Sequence, residues 1–291
     1  MIDGLYTLAE ILAPAEAHGF AVGAFTVWNA ESIAAVLAAA QAEAAPVILM
    51  VGPMEMPLLG ADNYARLVRM FAAQYDVPVC LHLDHAVQIE MAEEALAAGF
   101  SSVMLDYSDY PLEENIAATR RVVEAARRTG ASVEAEIGHV GMADGFSSEV
   151  ITAESTLTDP AEAEHFAAAT AVDALAVSVG TAHGLAPGLP VLDFERLAEI
   201  RRRVPAPLVL HGGTGRGADQ LQQAISLGVR KVNIANDLNR VFVNTVAEAL
   251  REGNGYFWHS AALERMKQGL QPVVRGHLQV LGAAGQAGLY R

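Results

Sequence analysis

Eight times along the chain a short apolar run is followed by a longer, Ala-rich amphipathic stretch, and this alternation limits the fold more than any other feature of the sequence. Apolar runs without polar alternation are strands buried on both faces, as in a parallel sheet whose crossovers are helices. The runs are FAVGAF (20–25), PVILMV (46–51), PVCLHL (78–83), SSVMLD (101–106), ASVEAEI (131–137), DALAVSV (173–179), PLVLHG (207–212) and VRKVNIA (229–235). Helical stretches follow at 29–44, 61–75, 88–98, 111–129, 160–170, 193–203, 217–227 and 237–251. Several open on a capping residue or an early proline: Asn29, Asp159 with Pro160, and Asp193. Strict alternation of strand and helix predicts an α/β protein with a closed (β/α)8 TIM barrel. A doubly wound open sheet is the second reading, and it would ordinarily use fewer units.

With 291 residues, 52% of them hydrophobic, the chain is long enough to bury a full-sized core. No linker or composition break divides it, so residues 1–291 are expected to form a single domain. A helical extension is expected from about 253, as a pair of helices carrying Leu263, Met266 and Leu270, with the aromatic cluster Tyr256, Phe257 and Trp258 covering the barrel or meeting another subunit. The longest aperiodic stretch, 138–158, leaves the fifth strand at its C-terminal end and reads as a functional loop.

A formal net charge of −15 argues against a nucleic-acid partner, which needs clustered Lys and Arg. The single cysteine, Cys80, excludes an intramolecular disulfide framework, fits a reducing compartment, and sits in an apolar run as a core thiol. The first residues carry acids instead of a basic region and show helical spacing of Leu5, Leu8, Ile11 and Leu12, against a signal peptide. No apolar run reaches the roughly 18 to 20 residues that span a bilayer. A cytoplasmic location with no membrane partner is expected.

A barrel strand that closes on a charged or imidazole group places that group at the C-terminal mouth, where active sites of this architecture form. Here the third run ends in His82, Leu83, Asp84 and His85, the fourth at Asp106, and the fifth carries Glu134 and Glu136. The sixth leads into GTAHG with His183, the seventh ends at His211 in HGGTG, and the eighth holds Asn233. Any one histidine is more often structural than a ligand. Three at one end of a barrel could converge on one cation and leave a fourth position open for substrate, the layout of catalytic zinc. His82 reads as a supporting residue. Asp84 either orients a ligand or acts as a general acid/base, and Asp106 and Glu136 are further metal positions, counter-charges or salt-bridge partners.

The glycine clusters GTAHG (180–184) and HGGTG (211–215), with NIAND (233–237) entering the last barrel helix, read as a phosphate cradle formed by Gly212, Gly213, Thr214, Ala235 and Asn236. Glycine lets backbone N–H groups approach an anion, and a helix start adds its dipole. The bland alternative is that these glycines turn tight corners. Lys231 shares its alternation phase with Asn233, but with the histidines present no Schiff-base lysine is needed.

Seven landmarks, AFTVWN, LHLDHA, SVMLDYS, VEAEIG, GTAHG, LVLHGGTG and KVNIAND, follow one another in order. Through them the sequence resembles the class II fructose-bisphosphate and tagatose-bisphosphate aldolase family from the first helix to about residue 250, with NIAND closer to the tagatose-type members. The resemblance implies a metal-dependent lyase that reversibly cleaves a ketose phosphate to dihydroxyacetone phosphate and an aldehyde. It implies that His85, His183 and His211 hold one catalytic Zn2+, and that Asp84 exchanges a proton with the oxygen at the bond being made or broken. Asn233 then contacts the bound ketone, Gly184, Gly212 and Thr214 help bind phosphate or a monovalent cation, and Asp106 and Glu136 flank the metal, with room for a second divalent ion. Asn29, closing AFTVWN, joins the expected substrate contacts, and a homodimer or homotetramer is expected.

Departures from the family pattern bear on the substrate. Many members carry an acidic pair in the loop after the fifth strand; here the loop reads GMADGFSSE, so Asp144 is the nearest equivalent catalytic residue and Glu149 a spare. Ala186 and Pro187 stand where fructose-type members often have Tyr-Lys, and Gly255 and Tyr256 where many have an Arg for the distal phosphate. A substrate without distal phosphate stays open, as do a non-catalytic partner subunit, which should have lost its metal ligands, and a zinc hydrolase on the same fold.

Overall fold

Each of the eight apolar runs forms a strand in the computed structural model, which describes residues 1–140, 157–180, 191–253 and 255–290. The strands are β1 (Val22–Thr26), β2 (Val47–Val51), β3 (Val79–Ala86), β4 (Ser102–Leu105), β5 (Ser132–Ile137), β6 (Ala174–Val177), β7 (Leu208–Leu210) and β8 (Val229–Ile234). They are joined in the order β1 to β8 into one closed barrel. All pairings are parallel, and β8 returns to β1 with Val22 opposite Lys231 and Ala24 opposite Asn233. Closure removes the exposed sheet edge that an open sheet would carry, and the open-sheet alternative falls away.

The helices are α1 (Leu8–His18), α2 (Ala30–Ala42), α3 (Met56–Leu59), α4 (Ala61–Ala72), α5 (Ile89–Ala98), α6 (Leu112–Thr129), α7 (Pro160–Thr170), α8 (Phe194–Arg203), α9 (Ala218–Ser226), α10 (Asn236–Glu252) and α11 (His259–Val280). Capping residues set several of the starts: Asn29 accepts from the Ser32 N–H, Asp159 from those of Ala161 and Glu162, and Asp193 from that of Arg196. Helix α1 opens on a Thr7/Glu10 capping box and packs against β1, β3, β5 and β8 at the end of the barrel opposite the mouth. Its preceding residue Tyr6 donates its N–H to Val79 O at 2.8 Å, which fixes that end of β3. Among the described residues no helix is long and apolar enough to cross a membrane.

Two elements differ from the sequence expectation. The single turn α3 breaks the connection after β2, and the expected C-terminal pair is one 22-residue helix, α11, followed by a short 3-10 helix at Gln286–Tyr290. Pro272 lies inside α11 on its exposed side, while Ala262, Met266, Leu270, Val274 and Leu278 keep an unbroken buried stripe. Burial of that stripe against α2 and α10 outweighs the backbone hydrogen bond lost at the proline. Tyr256 and Trp258 remain exposed, with their rings in edge contact 6.0 Å apart. Cys80 is fully buried, takes a hydrogen bond from Ser101, and burial pushes its thiol up to about 12.

Candidate active site at the mouth of the barrel

Simple alternation along β3 would send Asp84 inward and His85 outward. The β3–β4 register instead slips between Leu83 and Ala86, and His85 adopts a positive φ of 47°. This bulge, of a kind frequent beside active sites, turns both side chains into the mouth. A non-glycine residue in the left-handed region costs on the order of 1–2 kcal/mol, so the geometry is held by its surroundings. One of these supports is Asp106, just past β4, whose Oδ2 lies 2.8 Å from His85 Nδ1. Asp106 Oδ1 accepts in turn from the Ser108 N–H at 3.2 Å and the Ser108 hydroxyl at 2.7 Å. Burial opposes ionisation of Asp106, but His85 and Ser108 hold its carboxyl well below the usual carboxylate range. Burial likewise works against a charged His85, and so does His211, yet the Asp84, Asp106 and Glu136 carboxylates together raise the imidazole above its ordinary value.

Two strands along the barrel from β3, Glu134 and Glu136 sit two residues apart on β5 and therefore share the interior face. They flank His211, whose Nε2 is 3.0 Å from Glu134 Oε1 and whose Nδ1 is 3.2 Å from Glu136 Oε2. Desolvation opposes a charge on His211, but the two carboxylates more than offset it and push the imidazole up to about 10. On β8, the fully buried Lys231 places Nζ 2.9 Å from Glu134 Oε2 and donates to Asn233 Oδ1 at 2.7 Å. Asn233 Nδ2 then donates to Asp84 Oδ1 at 3.0 Å, so a continuous polar chain runs from Glu134 to Asp84 across the barrel. His82 lies beneath, with Nδ1 2.8 Å from the Ser102 hydroxyl oxygen, and burial with the Lys231 charge pushes it down to about 3, a neutral structural imidazole. Burial alone would raise the Asp84 carboxyl; His85, Lys231 and His211 hold it below its ordinary value.

The ligand atoms of Asp84, His85 and His211 lie within 4.8 Å of one another, as do those of His85, Asp106 and Glu136. Imidazole and carboxylate donors at that spacing fit a divalent cation of the zinc class. The site gathers four carboxylates, Asp84, Asp106, Glu134 and Glu136, and its ammonium among the described residues, Lys231, pairs with Glu134, so the surroundings also favour added positive charge. The rings of His85 and His211 meet edge to face, 4.5 Å between centroids.

Of the other residues singled out in the sequence, His183, Gly184, Asp144 and the spare Glu149 lie outside the described residues. Asn29 spends its side-chain oxygen capping α2, accepting from Ser32 at 2.9 Å. Gly212 turns at a φ of 64°, while Gly213 is fixed by crowding: an added Cβ would stand 2.4 Å from Val232 Cγ1. The Gly213 N–H is already given to Asn233 O at 3.2 Å, so that member of the expected cradle faces β8. Thr214 is buried, Ala235 ends the connection after β8, and Asn236 opens α10, whose first N–H groups have no intrahelical acceptor. Sequence reasoning passed over Glu134 and Lys231 as site residues, although each shares its strand phase with a residue that was chosen, Glu136 and Asn233. Ser102 and Ser108, which anchor His82 and Asp106, gave no signal of their own.

The sequence profile described as fructose-bisphosphate aldolase class-II matches residues 6–286. Among solved structures, the YdjI aldolase from Escherichia coli K12 superposes with a TM-score of 0.85 at 29% identity, over 97% of this chain and 99% of that one. A putative fructose-1,6-biphosphate aldolase from Coccidioides immitis gives 0.86 at 30% identity, over 97% and 98%. The fructose-bisphosphate aldolase from Campylobacter jejuni gives 0.81 at 26%, over 95% and 94%. A profile match over nearly the whole chain, with aldolases aligned end to end on the same barrel, shows that this protein belongs to the class II fructose-bisphosphate aldolase family and is an aldolase.

Proposed function

We propose that this aldolase is metal-dependent and reversibly cleaves a ketose phosphate to dihydroxyacetone phosphate and an aldehyde. The observation that carries the reading is the convergence of Asp84, His85 and His211 within 4.8 Å over a floor rich in carboxylates. A divalent ion, zinc by preference, would be held by His85, His211 and His183, with Asp106 and Glu136 around it. When bound, the cation supplies Lewis-acid stabilisation of the negative charge that develops on the carbonyl oxygen as the carbon–carbon bond breaks, an effect of several kcal/mol.

The chain's own groups prepare that site. Glu134 sits at Nε2 of His211, whose Nδ1 turns to Glu136, while Asp106 sits at Nδ1 of His85. Carboxylates behind ligating imidazoles fix the tautomer and ring orientation in this way. Asp84, kept ionised by the cationic groups around it and fixed by Asn233, is the base that takes the proton of the substrate hydroxyl and returns it in the reverse direction. Asp144 is assigned the proton on carbon. Lys231 is ion-paired to Glu134, so its nitrogen is a strut and not a nucleophile. Gly184, Gly212, Gly213, Thr214, Ala235, Asn236 and Asn233 are assigned to the phosphate and ketone end, with a monovalent cation as the alternative occupant near Gly184 and Gly212; Asn29 is kept as a rim contact. The assembly is proposed to be a homodimer or homotetramer acting in the cytoplasm on small-molecule substrates.

The test is release of dihydroxyacetone phosphate from a panel of ketose mono- and bisphosphates. Chelation should abolish release and zinc add-back restore it. Release that survives complete metal removal would overturn the metal-dependent reading.

A further inference from the structure

The segments that follow the C-terminal ends of the strands start at the mouth, and the charge written in their sequence is lopsided. From β1 to α2, β2 to α4, β3 to α5, β4 to α6, β5 to α7 and β6 to α8, the connecting sequence contains neither lysine nor arginine. Acids are present in the same segments, among them Glu55, Asp106 and Asp109. Arg216, between β7 and α9, is the one lysine or arginine in all eight connections. It is mostly buried and donates to Gly180 O at 3.0 Å, which ties its charge to the β6–β7 side of the barrel. The next cation along the chain, Arg240 in the first turns of α10, is paired with Asp237 at 2.7 Å.

Glu55 stands on the other side. Val51 pairs with Leu83, so the residues that follow them, Gly52 just past β2 and Asp84 within β3, lie side by side. The Gly52 N–H donates to Glu55 Oε2 at 3.2 Å, which holds the Glu55 carboxylate at the end of β2. The buried Tyr64 pins the backbone there, its hydroxyl 3.1 Å from both the Glu55 and the Trp28 carbonyl oxygens. Burial and the negative charge of Asp84 together push the Glu55 carboxyl upward, as expected of two carboxylates on one rim. In the strand order, β2 and β3 lie across the barrel from β6 and β7.

A phosphate or carboxylate is recognised by charge-assisted donors, above all arginine. This rim offers such charge at one place only, and a fixed carboxylate faces it. We infer that the substrate carries a single anionic group, a phosphate seated at the β7 and β8 connections, and that its other end is an uncharged hydroxyl-bearing chain facing Glu55. Glu55 accepts a hydrogen bond from a substrate hydroxyl and repels a second phosphate, a specificity set as much by repulsion as by attraction. The inference rests on the ketose-phosphate reading above and narrows it to ketose 1-phosphates.

The experiment compares kcat/KM of the zinc-loaded enzyme for a ketose 1-phosphate and for the 1,6-bisphosphate of the same configuration, with wild type, Glu55→Gln and Glu55→Ser. Wild type is expected to favour the monophosphate by about tenfold or more, the scale of one unscreened like-charge contact at a protein surface. Both variants should narrow that ratio, mainly by lowering KM for the bisphosphate. A wild type that favours the bisphosphate, or a ratio unchanged in both variants, overturns the inference while leaving the aldolase reading intact. Cleavage of neither sugar by enzyme with stoichiometric zinc would instead remove the ketose-phosphate reading on which it rests.

Discussion

Lys231 has no access to water, and its ammonium is balanced by Glu134 Oε2 at 2.9 Å. Removing one partner of such a pair strands the other charge in the core, typically at a cost of about 3–5 kcal/mol. Lys231→Met is therefore expected to lower the Tm sharply, by more than a control Lys267→Met at the half-buried Lys267, which pairs with Glu264 on the surface of α11, in calorimetry of the metal-loaded protein. Equal shifts for the two variants would show that Glu134 finds its balance elsewhere. The residues themselves were partly legible in the sequence. Alternation placed Lys231 on the same face as Asn233, and Glu134 on the same face as Glu136. It could not tell that a β5 side chain and a β8 side chain meet, because β5 and β8 are not neighbours in the sheet and their contact exists only across the closed interior. His82, read as a supporting residue, has its partner Ser102 on β4, which was invisible to the strand-end argument.

At the scale of elements, the bulge in β3 decides the site. His85→Ala and His85→Gly both delete the imidazole and differ at this position in how they tolerate a φ of 47°. The glycine variant is expected to be the more stable by about 1 kcal/mol in urea unfolding, with activity lost in both. Equal stability, or a more stable alanine variant, would mean that the backbone relaxes once the imidazole is gone. The eight strands and their helices were legible because each strand is a run buried on both faces, a pattern that survives without knowledge of neighbours. The bulge was not: period-two counting assigns His85 outward, and only pairing with β4 reveals the slip. The single helix α11 was also missed, since the buried stripe through Pro272 depends on what α2 and α10 present to it.

At the scale of the whole molecule, the −15 charge is unevenly opposed, and the interior of the mouth concentrates part of it. In the metal-free protein a proton on His211 answers the Glu134 and Glu136 carboxylates, with the imidazole raised from 6.5 to about 10. A raised folded-state value stabilises fully below the unfolded value and is lost as pH climbs through the folded one. The chelated protein should therefore lose stability from near pH 6.5 toward pH 10, measured by urea midpoints. On the proposed function zinc would displace that proton, so binding at pH 7 should release protons, visible in calorimetric titrations run in buffers of different ionisation enthalpy. A flat stability profile with no proton release would show His211 to be neutral before the metal arrives. The cation-poor rim was legible in the sequence alone, yet it acquired meaning only when the closed barrel set the eight connections around one opening.

Among the described residues, that opening is the barrel's only open end. Helix α1 lies across the opposite end, locked by the Tyr6 hydroxyl to Tyr290 O at 2.8 Å and by the Tyr290 hydroxyl to Ile11 O at 2.7 Å. The interior is thus a blind well, and whatever enters must leave by the way it came. On the proposed function, traffic would be last in, first out: an ion held by the histidines would be corked by the sugar that follows it, and would exchange with solvent only between turnovers.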